Sequence, residues 1–284
     1  MNRSLWKLIF KIVIPLAILS LSFFLPHFHL ALDAATFLTV ISLLFAILIG
    51  FFIATTTTNY LNLQRLMAQE NSSLASLYNL GILLQPSAKL PLANALDHYM
   101  IAALNYELSD YVNMTQNAFD GVLRAADHII PKNHPTLSAL IQNFHSTKTT
   151  LISTRQEIPL AARPIITAQH WIIMVLLAGL ISFLLLVLRD GSWISALIMG
   201  ILITTNYLIL VLLYEIDGNY FAEEKLAFEN AQISFHAIGK LSYYPSYALA
   251  HHRVHPPKNI PYRTGTYRDP SNPQPKETRI IRKF

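Results

Sequence analysis

Four long stretches without a single Lys, Arg, Asp or Glu dominate the chain. They run Ile12 to about Leu32, Ala34–Ile53, Trp171–Leu188 and Ser192–Leu213. An α-helix rises about 1.5 Å per residue, so about 20 residues cross the hydrocarbon of a bilayer. Inside lipid every backbone N–H and C=O must bond within the segment, which makes the helix the natural conformation for each stretch. Transmembrane strands would need short segments of alternating polarity, and these stretches do not alternate. Charged residues make up only 13% of the 284 residues, about half the share in a soluble domain. The expected fold class is therefore an all-α integral membrane protein with four transmembrane helices.

Lys and Arg set the expected orientation. Arg3, Lys7 and Lys11 precede the first stretch, and the turn before the second carries only Asp33. Arg189 and Asp190 lie between the third and fourth, and eight basic residues from Arg253 to Lys283 face only Asp269 and Glu277 in the tail. The positive-inside rule then places both termini in the cytoplasm of the cell inner (plasma) membrane. Trp6, Trp171 and Trp193 stand at stretch edges, where interfacial aromatics belong. A basic start before an apolar run also describes a signal peptide, but Leu32-Asp33-Ala34 is a poor cleavage site.

The expected organisation is two membrane helices over 1–58, a helical cytoplasmic segment over 59–167 and two more membrane helices over 168–214. A cytoplasmic helical segment follows over 215–250. Residues 251–284 are basic and Pro-rich, lack a fold signal and are expected to be disordered. The second membrane helix meets neither Pro nor Gly between Gly50 and Gly81, so it is expected to run on toward Leu80. Gln85-Pro86-Ser87 breaks the chain. A helix is expected over about Leu92–Ile130 and another over about Leu137–Glu157.

Helical phase puts two charges on apolar stripes. Glu70 sits among Leu63, Leu66, Leu74, Leu77 and Gly81, and Arg155 among Leu137, Ile141, Phe144, Leu151 and Ile158. A charge there is costly unless paired, which nominates Glu70 and Arg155 as a buried charge pair. The alternative for each is a side chain that snorkels to water or binds its own neighbours.

Catalytic patterns are missing. The chain has no P-loop, no Gly-rich dinucleotide turn, no H-E-x-x-H helix and no G-x-S-x-G elbow, so no enzyme activity and no cofactor are expected. With no cysteine there is no disulfide or thiolate metal site. His27 with His29, and His251, His252 and His255, read as surface histidines rather than metal ligands. No ionisable residue lies deep in the apolar stretches, which speaks against a proton-relay carrier. Glu215 and Asp217 follow the fourth stretch and read first as boundary markers, second as acids at the inner mouth of an ion path. The basic tail suits anionic lipid headgroups, and no nucleic-acid partner is expected.

The segment Ala68-Gln69-Glu70-Asn71-Ser72-Ser73-Leu74-Ala75-Ser76-Leu77-Tyr78 resembles the stretch after helix two in bestrophin-like proteins, in particular their bacterial branch. Tyr99, Glu107, Arg155 with Pro159 and Pro164, and Tyr214-Glu215-Ile216-Asp217-Gly218 fall at similar places in that family's order. The resemblance covers roughly residues 35–220. It implies an oligomeric, passive ion channel, a pentamer if bestrophin-like, with anions as one candidate ion. Leu43, Ile47 and Phe51, four residues apart on helix two, are then the expected pore-lining residues, since apolar rings gate by dewetting. Bestrophin channels carry an Arg directly after the neck Phe; here the residue is Phe52, followed soon by Thr55-Thr56-Thr57-Thr58. The competing expectation is a membrane-anchored scaffold or sensor whose cytoplasmic helices bind partner proteins.

Overall fold

The computed structural model describes residues 9–24, 33–106, 111–129, 137–190, 192–218, 227–250, 254–257, 260–266 and 276–281. They form two compact units, one of residues 1–58 and 164–218, the other of 59–163 and 219–284.

The first unit is made of apolar helices. A π-turn at Ile9–Val13 leads into α1 (Ile14–Phe24). Helix α2 runs unbroken over Ala34–Leu84, because no proline or glycine between Gly50 and Gly81 removes a backbone donor or favours a turn. Its residues up to Thr58 belong to this unit. At its start Asp33 accepts bonds from the Thr36 amide and hydroxyl, which satisfies an orphan N–H and holds the Asp33 carboxyl below its usual range. Helix α7 (Ala168–Val187) and α8 (Trp193–Asp217) complete the unit. Ser192 caps α8 by accepting from the Ser195 amide at 3.1 Å.

Three of these helices, α2, α7 and α8, are long and apolar enough to cross a membrane, while the apolar helix at Lys11–Phe24 is shorter. Only 17%, 28% and 28% of their most apolar windows are buried. In water so much outward apolar surface would drive aggregation; in lipid it is the proper exterior. The interior is built from Phe45, Ile49 and Phe52 of α2 against Met174, Ala178 and Ile181 of α7 and Ile203 and Leu213 of α8. Small and polar residues join the helices. Gly200 lets α1 approach, and the Ser22 hydroxyl donates to the Ala196 carbonyl at 3.2 Å. Asn206 donates from α8 to the Ala178 carbonyl of α7 at 2.9 Å.

The second unit takes the rest of α2, then α3 (Lys89–Ala103), α4 (Tyr111–Met114), α5 (Gln116–Asp127), α6 (Ser138–Ala161) and α9 (Ala227–Ala237). Its core holds the predicted stripes: Leu63, Leu66, Leu74 and Leu77 from α2, and Phe144, Leu151 and Ile158 from α6. A Cβ on Gly81 would lie 2.8 Å from Leu92 and 2.9 Å from Ile129, so the glycine marks a close approach to α2.

Two expectations are corrected. The single helix over about Leu92–Ile130 is broken into α3, α4 and α5. Asn105 ends α3 by donating both to the Ile101 carbonyl and to the Tyr243 hydroxyl. Nor is the end of the chain wholly without structure: short strands follow the helices that make up the bulk of the fold. Strand β1 (Tyr243–Pro245), α10 (Ser246–Ala250), β2 (Tyr262–Thr266) and β3 (Lys276–Ile281) follow α9. The sheet has the order β1-β2-β3, with β1 and β2 parallel (Tyr243 beside Arg263) and β2 and β3 antiparallel (Tyr262 beside Ile281). Buried Tyr243 and Tyr262 and the Arg263 side chain give these strands a hold that composition does not reveal.

Candidate functional site

Three groups of side chains were nominated from the sequence, and the structure places each.

The first is the charged pair. Glu70 and Arg155 are 7% and 2% exposed, in a part of the second unit where water cannot solvate them. Both reach the hydroxyl of Tyr99, itself 1% exposed. Tyr99 donates to Glu70 Oε1 at 2.5 Å, and Arg155 Nη1 donates to Tyr99 Oη at 2.7 Å. The same Nη1 donates to Thr115 Oγ1 at 2.9 Å, and Nη2 to the Val112 carbonyl at 2.7 Å. The guanidinium also lies 4.4 Å from the Phe119 ring centre and 5.2 Å from that of Tyr99. Charge-assisted bonds and aromatic faces thus replace hydration on the Arg.

The break between α4 and α5 supplies two of these partners. An unbroken helix would bond the Val112 carbonyl to the amide four residues on. With the helix interrupted, that carbonyl accepts from Arg155. Thr115 stands at the N-cap of α5 yet makes no side-chain cap bond; its oxygen accepts from the guanidinium instead. Pro159, inside the last turns of α6, cannot donate to the Arg155 carbonyl. Tyr99 is the joint that phase analysis of Glu70 and Arg155 does not supply, because a tyrosine on an apolar face reads as core. Glu107 lies outside the described residues. The cluster ties α2, α3, the α4–α5 break and α6 together as a buried clamp.

The second group is the stripe on α2. Leu43, Ile47 and Phe51 are 62%, 65% and 62% exposed, whereas Phe45, Ile49 and Phe52 on the opposite side are 5–7% exposed. The helix therefore has one face committed to its own chain and one open. After Phe51 the threonine run bonds back on its own helix: Thr55 to the Phe51 carbonyl, Thr56 to that of Phe52 and Thr58 to that of Ala54. The hydroxyl protons are thus used internally, which makes the run compatible with a continuing helix.

The third group ends α8. Glu215 pairs with Lys11 at 2.7 Å. Asp217 is 6% exposed and its Oδ1 accepts from the amides of Ile165 and Ile166 at 2.8 and 3.2 Å. These are the chain's approach to α7, just after Pro164. Each acid thus has a partner in the first unit.

One strong contact was not nominated. Arg263 of β2 forms a bidentate pair with Asp97 of α3 at 2.6 and 2.7 Å, donates to the Leu241 carbonyl and covers the Phe235 ring at 5.1 Å. In sequence Arg263 is one of eight basic tail residues, and nothing local distinguishes it. Of the histidine groups, His27, His29, His251 and His252 lie outside the described residues. Among the described residues no cluster of three or more His, Asp or Glu could hold a metal ion.

The chain superposes on a solved crystal structure of a membrane protein with a TM-score of 0.60 at 12% identity, over 82% of this chain and 99% of that one. At that identity the likeness speaks for the fold alone. No curated protein matches the chain. The Bestrophin-like domain matches residues 34–220, the span that contains α2, the charged clamp and the acidic end of α8, and the chain belongs to the bestrophin-like family of membrane proteins.

Proposed function

We propose that the protein is an oligomeric passive ion channel whose α2 helices line the pore through Leu43, Ile47 and Phe51. The observation that carries the reading is the two-sidedness of α2: one apolar face is packed by its own chain, while the stripe with the four-residue repeat is more than 60% exposed. Helices of one chain cannot enclose a useful channel, so homo-oligomerisation, a pentamer on the family pattern, is part of the proposal. The stripe is uncharged, so it acts through width and wetting, not through a fixed site. Anions are the candidate that family membership suggests. The protein is proposed to act without enzymatic chemistry or cofactor.

The proposed topology has four spans, with α1 as the first, in the cell inner membrane. Both termini and the second unit lie in the cytoplasm and contact anionic lipids. The absence of cysteine makes this testable on single-cysteine variants. Asp33→Cys and Asp190→Cys should react with an impermeant maleimide added outside, and Lys132→Cys only after lysis. The reverse pattern overturns the orientation.

The functional test is reconstitution of the full chain in planar bilayers. Conductance is expected, with the reversal potential in a chloride gradient reporting the permeant ion. Ile47→Ala and Phe51→Ala should raise unitary conductance by widening and wetting the neck. Absence of conductance, together with a stable protein complex that needs residues 59–167, would support the scaffold reading instead.

A further inference from the structure

The second unit carries a concavity of about 360 Å³ where the end of α2 turns into α3 beside the end of α5. This is within the usual size of small-molecule pockets. Its floor includes the buried side chains of Ala88 and Ile129, and its polar lining includes Gln85, Ser87, Arg124 and His128. We infer that this pocket binds a small carboxylate with an apolar body.

Charge argues for an anion. Among the described lining residues only Arg124 and His128 are ionisable; Arg124 lies in the last turn of α5 and His128, four residues on, is its C-cap. The acids nearest in sequence are engaged elsewhere. Asp120, one turn before Arg124, accepts from Gln116 at 2.8 Å, and Asp127 pairs with Lys148 of α6. The Arg124 guanidinium thus has no carboxylate of its own among the described residues. Its planar fork matches a carboxylate bidentately.

The opposite wall completes the polar set. Gln85 Nε2 donates to Ser87 Oγ at 3.0 Å. That bond occupies a lone pair of the serine and leaves its O–H to donate. The His128 ring has an N–H to give. The end of α5 is the negative end of a helix dipole, so side chains, not backbone amides, must hold the anion. The apolar floor has no polar demand and suits an aliphatic or aromatic body.

The test uses the full chain in detergent and para-trifluoromethylbenzoate, followed by fluorine NMR, with para-trifluoromethylbenzamide as the neutral control. Saturable binding of the benzoate is expected, with the amide at least about tenfold weaker. Arg124→Gln should weaken the benzoate at least about tenfold and Ser87→Ala about threefold, the effects of losing an ionic and a neutral hydrogen bond. Both residues are exposed, so the variants should fold as the parent does. Inorganic phosphate, lacking the apolar body, should displace the benzoate only at much higher concentration. Equal signals from benzoate and benzamide, or an unchanged affinity in Arg124→Gln, would overturn the site. Displacement by phosphate at equal concentration would overturn the apolar part of the recognition.

Discussion

Tyr99 has two duties on one oxygen, donating to Glu70 and accepting from Arg155. Removing it leaves a buried carboxylate and a buried guanidinium each short of a partner. Tyr99→Phe should cost about 1–3 kcal/mol, and Arg155→Met about 3–5 kcal/mol, since it removes the positive charge that balances the buried carboxylate through Tyr99. Because the groups act as one network, Glu70→Gln with Arg155→Met should cost less than the sum of the single changes. Thermal unfolding of the purified protein measures all of these; additive costs would show that the side chains do not couple. The two charges were legible because a charge on an apolar stripe breaks a pattern. Tyr99 and Thr115 were not, because neither residue type is anomalous where it stands. Tyr243 adds a pH-dependent prediction. Burial raises its pKa, against the lowering influence of Asn105 and Arg263. The neutral phenol is therefore favoured by folding, so its contribution is full below the free tyrosine value near ~10 and is lost as pH rises through the raised value. Stability measured from pH 9 to 11 should fall less in Tyr243→Phe than in the parent, relative to each at neutral pH.

At the scale of elements, what could be read depended on the distance over which each was decided. Helix α2 could be read from its own residues, since a long run without a breaker is a local property. The break between α3 and α5 could not. No proline marks it, and the Arg155 that uses its freed carbonyl comes from α6, some forty positions away. The strands were hidden for the same reason. Strand β1 pairs in parallel with a strand nearly twenty residues on, each strand is short, and the prolines between them resemble a linker. Arg263 supplies the hold, and Arg263→Ala should release β2 from α3. The cost should be about 1.5–3 kcal/mol for lost charge-assisted bonds, with proteolysis near residues 262–266 as the direct readout. Helix packing in the first unit has an equally local test. A Cβ on Gly200 would lie 2.5 Å from the Ser22 hydroxyl and 2.9 Å from Leu19, whereas one on Gly179 would meet nothing within 4 Å. Gly200→Val should lower stability by about 1–3 kcal/mol through overpacking against α1, and Gly179→Ala should not. Equal effects would mean that α1 does not depend on that close approach.

For the whole molecule, the open question is what covers the exposed stripe of α2. Lipid would satisfy Leu43, Ile47 and Phe51 as well as a partner helix does, since neither demands a hydrogen bond. A charge separates the two. An Arg at the centre of a lipid-facing helix costs about 2.5–3.5 kcal/mol on insertion scales, whereas in a wetted neck it is hydrated by the pore water. Leu176 of α7 is 67% exposed, much like Ile47 at 65%, but it belongs to no nominated pore stripe. Ile47→Arg should therefore insert and assemble at close to parental levels, and its channels should shift toward anion passage because a ring of guanidinium groups surrounds the path. Leu176→Arg should lower the yield of inserted protein. Native mass spectrometry of both variants against the parent gives the subunit count. Equal loss on Ile47→Arg and Leu176→Arg would place both positions in lipid, and a monomeric parent would remove the pore altogether, because the α2 stripe of one chain has nothing to enclose.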